Sequence, residues 1–337
     1  LTGERVSSQP HQDSLPFADP VAYALAEALE GVATDRPWAI LLFGSRLAGT
    51  APGPHSAYDL VLVVDAYGPF YRQLRAARRR GRSPRLLTAL AGVLPPNVMS
   101  FDPGLPGGEI AKVMVFTPEH LERALSERPR DHFLLGRLVQ KTMILRARDA
   151  EARQRLEALL ANGRRGVLRW AAPWLPEHFD AATLARTMIE VSYAAEVRPE
   201  SAGRAAAVFE AQRDFLEPAF REVLAAAERD GEVVRLPRPD GAAADAWRMA
   251  SPPGPRERRR WQRYFRVSKV RATTRWLKHV ATFDDWLTYI QRKVERRTGM
   301  QVEVTPLERR LPLLLLWPKV FRVLGALRRA RRESHGS

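Results

Sequence analysis

The residues with the clearest chemical content lie in "FGSRLAGTAPGPHSAYDLVLVVD", residues 43–65. An apolar run ends in Gly44-Ser45, and after a loop a second apolar run opens with Asp59 and closes with Asp65. Glycine lets backbone N–H groups and a neighbouring hydroxyl approach phosphate oxygens closely. A carboxylate at the head of the next strand supplies the hard oxygen that magnesium prefers. Gly44, Ser45 and Asp59 thus have the types and order needed to hold a nucleoside triphosphate on Mg2+ for nucleotidyl transfer, with Asp65 a further candidate metal ligand. The plainer reading of each is a turn glycine and a solvated strand-end carboxylate. Where this chemistry commonly uses Asp-x-Asp, the chain reads Ala57-Tyr58-Asp59, and a methyl group binds no metal. A thinned carboxylate set suits an acceptor that is already an anion, such as a phosphate monoester, because no base is needed to ionise it.

Several elements must position these residues. Asp19-Pro20 makes a cap and first-turn pair, and Val21, Leu25, Leu29 and Val32 follow at helical spacing, which predicts a helix over about 20–32. "PWAILLFGS" and "YDLVLVVD" read as buried strands, "EIAKVMVF" as a third, and "NVMSF" as extended. Helical signals cover 67–80 and 84–93. From Thr117-Pro118 onward the periodicity reads as helical, with Leu121, Leu125, Phe133, Leu134, Leu138 and Met143 as apolar positions. Further helices are expected over 150–162, 180–197 and 203–229, broken by "NGRRG" and "APWLPEH". The expected class is α+β: a nucleotidyltransferase-like mixed sheet with helices, then a mainly helical second domain and a basic C-terminal extension. The boundaries are a tail over 1–19, the sheet domain over 20–149, the helical domain over 150–234, a Pro/Gly-rich linker over 235–262 and the basic region over 263–337.

Composition narrows the chemistry. The 337 residues include no cysteine, which excludes disulfides and cysteine-bound zinc, and the seven histidines lack metal-site spacing. No apolar run reaches the roughly 20 residues of a spanning helix, and the first residues lack the plan of a signal peptide, so a cytoplasmic location is expected. The net charge of +16 is uneven: residues 255–337 carry 22 Lys+Arg against 7 Asp+Glu, while residues 1–254 are nearly balanced. An anionic partner is expected to meet that last quarter.

"FGSRLAG…YDLVLVVD", "KVMVFTPEHLERAL", "HFLLGRLVQKTMIL", "VSYAAEVRPE" and "FREVL" follow one another across roughly 38–224. In order and approximate spacing the set resembles the mitochondrial-type phosphatidate cytidylyltransferases, the translocator assembly and maintenance family, in a bacterial branch. The resemblance implies synthesis of CDP-diacylglycerol from CTP and phosphatidic acid with Mg2+, by a nucleotidyltransferase domain, a helical second domain and a membrane-binding C-terminal segment. It also makes a single principal aspartate, and hence Ala57, a family trait. By the same resemblance Gly44 and Ser45 cradle the triphosphate, Asp59 ligates magnesium, and Lys112 neutralises phosphate. Arg137, Gln140 and Lys141 in "GRLVQK" match a Gly-Arg-Leu-Gln-Lys element, with Val139 as an insertion. Ser192, Tyr193, Glu196 and Arg198 match a Ser-Tyr element expected to touch nucleotide or phosphate. The simpler alternatives are a solvated basic helix face for Arg137 and Lys141, a Glu196–Arg198 ion pair and a core role for Tyr193. The chain departs from the family after the second strand, where "YGPFYRQLRAARRRGRSPRLL" replaces its Trp-His and His-Tyr-Ser elements.

In the basic region, Val320, Val323, Leu324 and Leu327 share a helical stripe beside Phe321, flanked by Lys319 and Arg322, with Trp317 before it. This composition suits a helix lying in an anionic membrane interface and places the protein peripherally on the inner face of the cell membrane. The favoured reading involves no nucleic acid. Two others stay open: a nucleotidyltransferase with a nucleic-acid or soluble acceptor, using Trp261, Tyr264, Phe265 and Trp276 among arginines, and a non-catalytic nucleotide-binding relic.

Overall fold

The computed structural model describes residues 19–33, 35–50, 56–78, 83–195, 203–237, 245–282 and Thr305. Its first part alternates short helices and strands: α1 (Pro20–Val32), β1 (Ala39–Phe43), α2 (Ser45–Ala48), β2 (Tyr58–Val63), α3 (Tyr67–Arg78), α4 (Pro84–Val93), β3 (Asn97–Phe101), β4 (Ala111–Phe116), α5 (Pro118–Leu125), α6 (Leu135–Leu138) and β5 (Thr142–Ala147). The chain continues through α7 (Ala150–Arg165), α8 (Val167–Ala171), a 3-10 turn (Ala172–Trp174), α9 (Ala181–Ala194), α10 (Gly203–Glu210) and α11 (Arg213–Arg229). A small hairpin of β6 (Val233–Arg235) and β7 (Trp247–Met249) leads to α12 (Pro255–Thr282).

The five-stranded sheet has the order β3-β4-β2-β1-β5. Only β2 and β4 run parallel; the other neighbours are antiparallel. A parallel pair needs a crossover, which α3, α4 and β3 supply. The alternation of β2 separates two cores. Leu60 and Leu62 pack with α1, α3 and α4 through Leu25, Leu29, Phe70 and Leu87. Val61 and Val63 face the later helices, in a continuous core that reaches Leu156, Met188, Phe220 and Leu224. The helical half therefore forms a layer on one face of the sheet.

α1 begins as expected. Asp19 accepts from the Val21 N–H at 3.0 Å and the Ala22 N–H at 3.4 Å, while its second oxygen accepts from the Tyr58 hydroxyl at 2.8 Å. The cap thus ties the first helix to the head of β2. Burial and this bond to Asp19 push the Tyr58 hydroxyl up to about 12, so it stays a donor.

Four expectations need correction. Residues 142–147 form β5 rather than continuing a helix: Ile144 packs on the helical-side core, while Met143 packs with Leu145 on the opposite face. The break in "NGRRG" falls at its last residue, Gly166, so α7 runs past the expected 162 to Arg165, with Gly163 buried against Leu125, Leu135 and Val139. Residues 235–262 are not simply a linker: β7 pairs with β6, and α12 starts at Pro255. Finally, Phe265 is buried against Trp170 and Trp174, Trp261 is buried against Tyr264 and Phe265, and Tyr264 packs on the same core, so these three aromatics form no exposed base-stacking platform. The Trp276 side chain and the Trp317–Leu327 stripe lie outside the described residues.

Candidate functional site

One row of residues crosses the whole sheet near its end. Ser100 on β3 is in register with Lys112 on β4, Lys112 with Asp59 on β2, Asp59 with Phe43 on β1, and Phe43 with Thr142 on β5. Paired residues point to one face, and Asp59 and Lys112 share the alternation of Val61, Val63, Met114 and Phe116, the face covered by the helical layer. The apolar rows of the sheet thus give way, just where β1 ends, to a row that is polar on every strand but β1, where Phe43 stays in the core. The Lys112 ammonium lies 3.6 Å from Asp59 Oδ1, with both groups partly exposed.

Gly44 closes the site from the β1 side. Its backbone, at φ 84° and ψ −163°, occupies a region that only glycine visits readily. A Cβ there would stand 2.6 Å from Asp59 Oδ2, so the missing side chain is what lets the turn lie against the carboxylate. Ser45 follows as the first residue of α2. Arg46 then donates through Nε and Nη2 to the Ser56 carbonyl at 3.2 and 3.0 Å, and its guanidinium lies 4.9 Å from the centre of the Tyr58 ring. This clamp holds together the two ends of the loop between α2 and β2. Sequence reasoning missed it, since nothing in the spacing separates Arg46 from other surface arginines.

The "GRLVQK" element reaches the same end of the sheet, because Lys141 immediately precedes Thr142. Its first residues form only the single turn α6, so Arg137 and Lys141 do not share a helix face. The Lys141 N–H donates to Gln212 Oε1 at 3.0 Å, and Gln212 Nε2 donates to Gln140 Oε1 at 3.1 Å. Gln140 Nε2 in turn donates to the Gly136 carbonyl. Gln140 and the buried Gln212 therefore brace α6 against the start of α11, and Gln212 is a second residue that spacing gave no reason to select. Arg137 sits elsewhere, stacked 4.2 Å from the centre of the Phe133 ring and donating to the Phe133 carbonyl.

Other candidates separate from this cluster. Asp65 lies six residues beyond Asp59, past the opposite end of β2, roughly 20 Å away at strand rise, and receives a hydrogen bond from Arg148 at 2.5 Å. The structure does not bring it to the carboxylate it was expected to assist. Ser192 is buried, with its hydroxyl 2.9 Å from His132 Nε2, and a Cβ on Gly136 would come within 3.1 Å of its own Cβ. It seals the contact of α6 with α9. Tyr193 also packs on the helical-side core. Glu196 and Arg198 lie outside the described residues.

Among the described residues no group of three His, Cys, Asp or Glu is arranged to hold a metal. The donor set at the polar row fits magnesium in one way only: Asp59 as the protein carboxylate, with triphosphate oxygens and water completing the shell, the usual arrangement for this ion. No protein-family model matches the chain, and no curated protein matches it. Among the described residues no helix is long and apolar enough to cross a membrane.

Proposed function

We propose that the protein transfers a cytidylyl group from CTP to phosphatidic acid, giving CDP-diacylglycerol and pyrophosphate at a membrane surface. The observation that carries the reading is the close set of Gly44, Asp59 and Lys112: a turn without a side chain, pressed against a lone carboxylate with a lysine 3.6 Å from it. A triphosphate needs open backbone, a metal-binding oxygen and a cation within one small space. Magnesium would be held by Asp59 and would neutralise the triphosphate charge and polarise the α-phosphate.

The residues' own work on this reading is binding and orientation. Gly44 and Ser45 lie along the triphosphate, Lys112 compensates charge that builds on the leaving pyrophosphate, and Lys141 approaches from the β5 side. An oxygen of the acceptor phosphate attacks the α-phosphorus, a new P–O bond forms, and the bond to the β-phosphate oxygen breaks as pyrophosphate departs. The acceptor is an anion at neutral pH, so no proton has to be removed, which suits a row containing one carboxylate and no second base.

The test is pyrophosphate release from CTP with Mg2+, with and without phosphatidate vesicles, for the native chain and Asp59→Asn. Turnover that requires both phosphatidate and Asp59 is expected. Turnover indifferent to phosphatidate would refute the acceptor, and turnover unchanged in Asp59→Asn would refute the site. Magnesium-dependent CTP binding without turnover would point to another acceptor or to the non-catalytic relic.

A further inference from the structure

A second cluster lies away from the Asp59 row, between α5, the start of β3 and α12. A cavity of about 40 Å³ is lined by His120, Arg123, Arg130, Asp131, Arg271 and Arg275, with Phe116 and Phe133 as apolar wall. One water needs about 10–15 Å³, so the space takes about three waters or one phosphoryl group, and not a nucleotide. Phe116 shares β4 with Lys112 and lies four residues further on, about 13 Å at strand rise. The cavity is therefore too far from Asp59 to serve the same phosphate.

Its charge is unbalanced. Asp131 Oδ2 receives Arg271 Nε at 2.9 Å and Arg275 Nη2 at 2.8 Å, so the single carboxylate already serves two guanidinium groups. Among the described residues, Arg123 and Arg130 on the same wall have no carboxylate partner, and both are exposed. Arg275 is only 1% exposed, stacks 4.4 Å from the Phe133 ring centre and gives Nε to the Pro95 carbonyl at 3.0 Å. Its Nη1 has no acceptor among the described residues. A buried guanidinium nitrogen without an acceptor, beside two exposed cations that no carboxylate meets, favours an added anion, and planar N–H forks match phosphoryl oxygens.

His120 adds a polar ring to the lining. Its Nδ1 lies 2.8 Å from the Tyr67 hydroxyl. Either group can donate in that contact, and the ring presents its second nitrogen as a polar atom whichever tautomer it takes. Burial, with Arg123 second, lowers the His120 pKa, so the ring is neutral.

We propose that this cavity is a binding site for a single phosphomonoester group, separate from the nucleotide row, with Arg123, Arg130, Arg271 and Arg275 as its cationic wall and the neutral His120 ring beside them. The site stands whether or not the chain transfers nucleotides. Its ligand is a phosphomonoester, carried either on a lipid headgroup or on a soluble molecule.

Calorimetric titration with inorganic phosphate at constant ionic strength tests the site, using the full chain, Asp59→Asn, and the double variant Arg123→Gln/Arg130→Gln. The replaced arginines are exposed, so circular dichroism and the unfolding midpoint should not change. Equal binding by the native chain and Asp59→Asn, with affinity lowered about tenfold or more in the double variant, is expected from the loss of charge-assisted hydrogen bonds. Phosphate binding unchanged in the double variant, or lost in Asp59→Asn, would overturn the proposal. Flotation with phosphatidylcholine vesicles, with and without phosphatidate, separates the sources. Phosphatidate-dependent flotation that the double variant loses and free phosphate competes identifies a headgroup. Flotation unaffected while phosphate binding is lost identifies a soluble phosphomonoester.

Discussion

Replacing Gly44 by alanine tests the core of the site, and Gly49 provides its control. Gly44 has φ 84° and ψ −163°, Gly49 has φ 68° and ψ 21°, so alanine is strained at both. At Gly49 nothing lies within 4 Å of the added methyl, so the cost is the left-handed backbone alone, about 1–2 kcal/mol. At Gly44 the backbone cost is about 1–3 kcal/mol, and the methyl also stands 2.6 Å from Asp59 Oδ2. Ordinary contact begins near about 3.4 Å, so the carboxylate must withdraw by about 0.8 Å. That movement changes its relation to Lys112, now 3.6 Å away. Urea unfolding and magnesium-dependent CTP binding are measured on both variants. Both should lose stability, Gly44→Ala by about 1 kcal/mol more, and only Gly44→Ala should lose CTP affinity, by about tenfold. Equal effects at the two positions, on stability and on binding, would refute the argument that the Gly44 turn and Asp59 form one site.

Three further outcomes follow from the geometry. Asp65→Asn should leave CTP binding unchanged and cost less than about 1 kcal/mol of stability in urea unfolding, because its bond to Arg148 is exposed. Ser192→Ala should destabilise by about 1–3 kcal/mol through the lost bond to buried His132 while leaving CTP affinity intact in calorimetry. Lys278, held by the carbonyls of Leu90, Leu94 and Pro96 and by Asn97 Oδ1, is pushed down to about 7 by burial, with Arg275 adding to it. Its folded pKa lies below the ordinary lysine value, so the unfolded chain binds more protons between about pH 7 and pH 10, and this group's contribution to stability rises across that window. Unfolding midpoints of the native chain should therefore gain on those of Lys278→Met as pH is raised from about 7 to about 9.

Much of the fold was legible because it rests on local signals. Asp19 caps α1 as its position before Pro20 indicates, α4 spans the 84–93 that were expected, and β1, β2 and β4 coincide with short β-branched runs. β5 was missed because Thr142–Ala147 follows a run of helix-compatible leucines, and only its pairing with β1 makes it a strand. Register decides the site in the same way. Gly44 and Asp59 could be chosen by type and Lys112 by resemblance, but their meeting depends on Phe43 facing Asp59 and Asp59 facing Lys112. Gln212 and Arg46 act through contacts distant in sequence or with backbone, so no spacing could have selected them. Asp65 illustrates the converse: it lies just past the far end of the strand near whose start Asp59 sits, and strand length alone keeps the two carboxylates apart.

The arginine-rich helix α12 shows what composition leaves unsaid about its own segment. Its inner stripe runs through Trp261, Phe265, Ser268, Arg275 and Lys278, all buried, at intervals of three, four or seven residues, which is the periodicity of one helix face. The first half of that stripe is aromatic: Phe265 packs on Trp170 and Trp174, and Trp261 on Phe265. The second half is polar, and each group meets a partner: the Ser268 hydroxyl accepts from the His132 N–H, Arg271 and Arg275 meet Asp131, and Lys278 meets the carbonyls at the end of α4. A hydropathy pattern cannot see such a face, because burial here is satisfied by hydrogen bonds and an ion pair rather than by apolar surface. The opposite face keeps Arg259, Arg263 and Arg266 exposed. The positive charge of this helix is thus divided, part used to fasten it to the sheet and part directed outward. The cavity at Arg275 lies where the inward cations exceed the one carboxylate available to them, and that excess is the physical reason to look for an anion there.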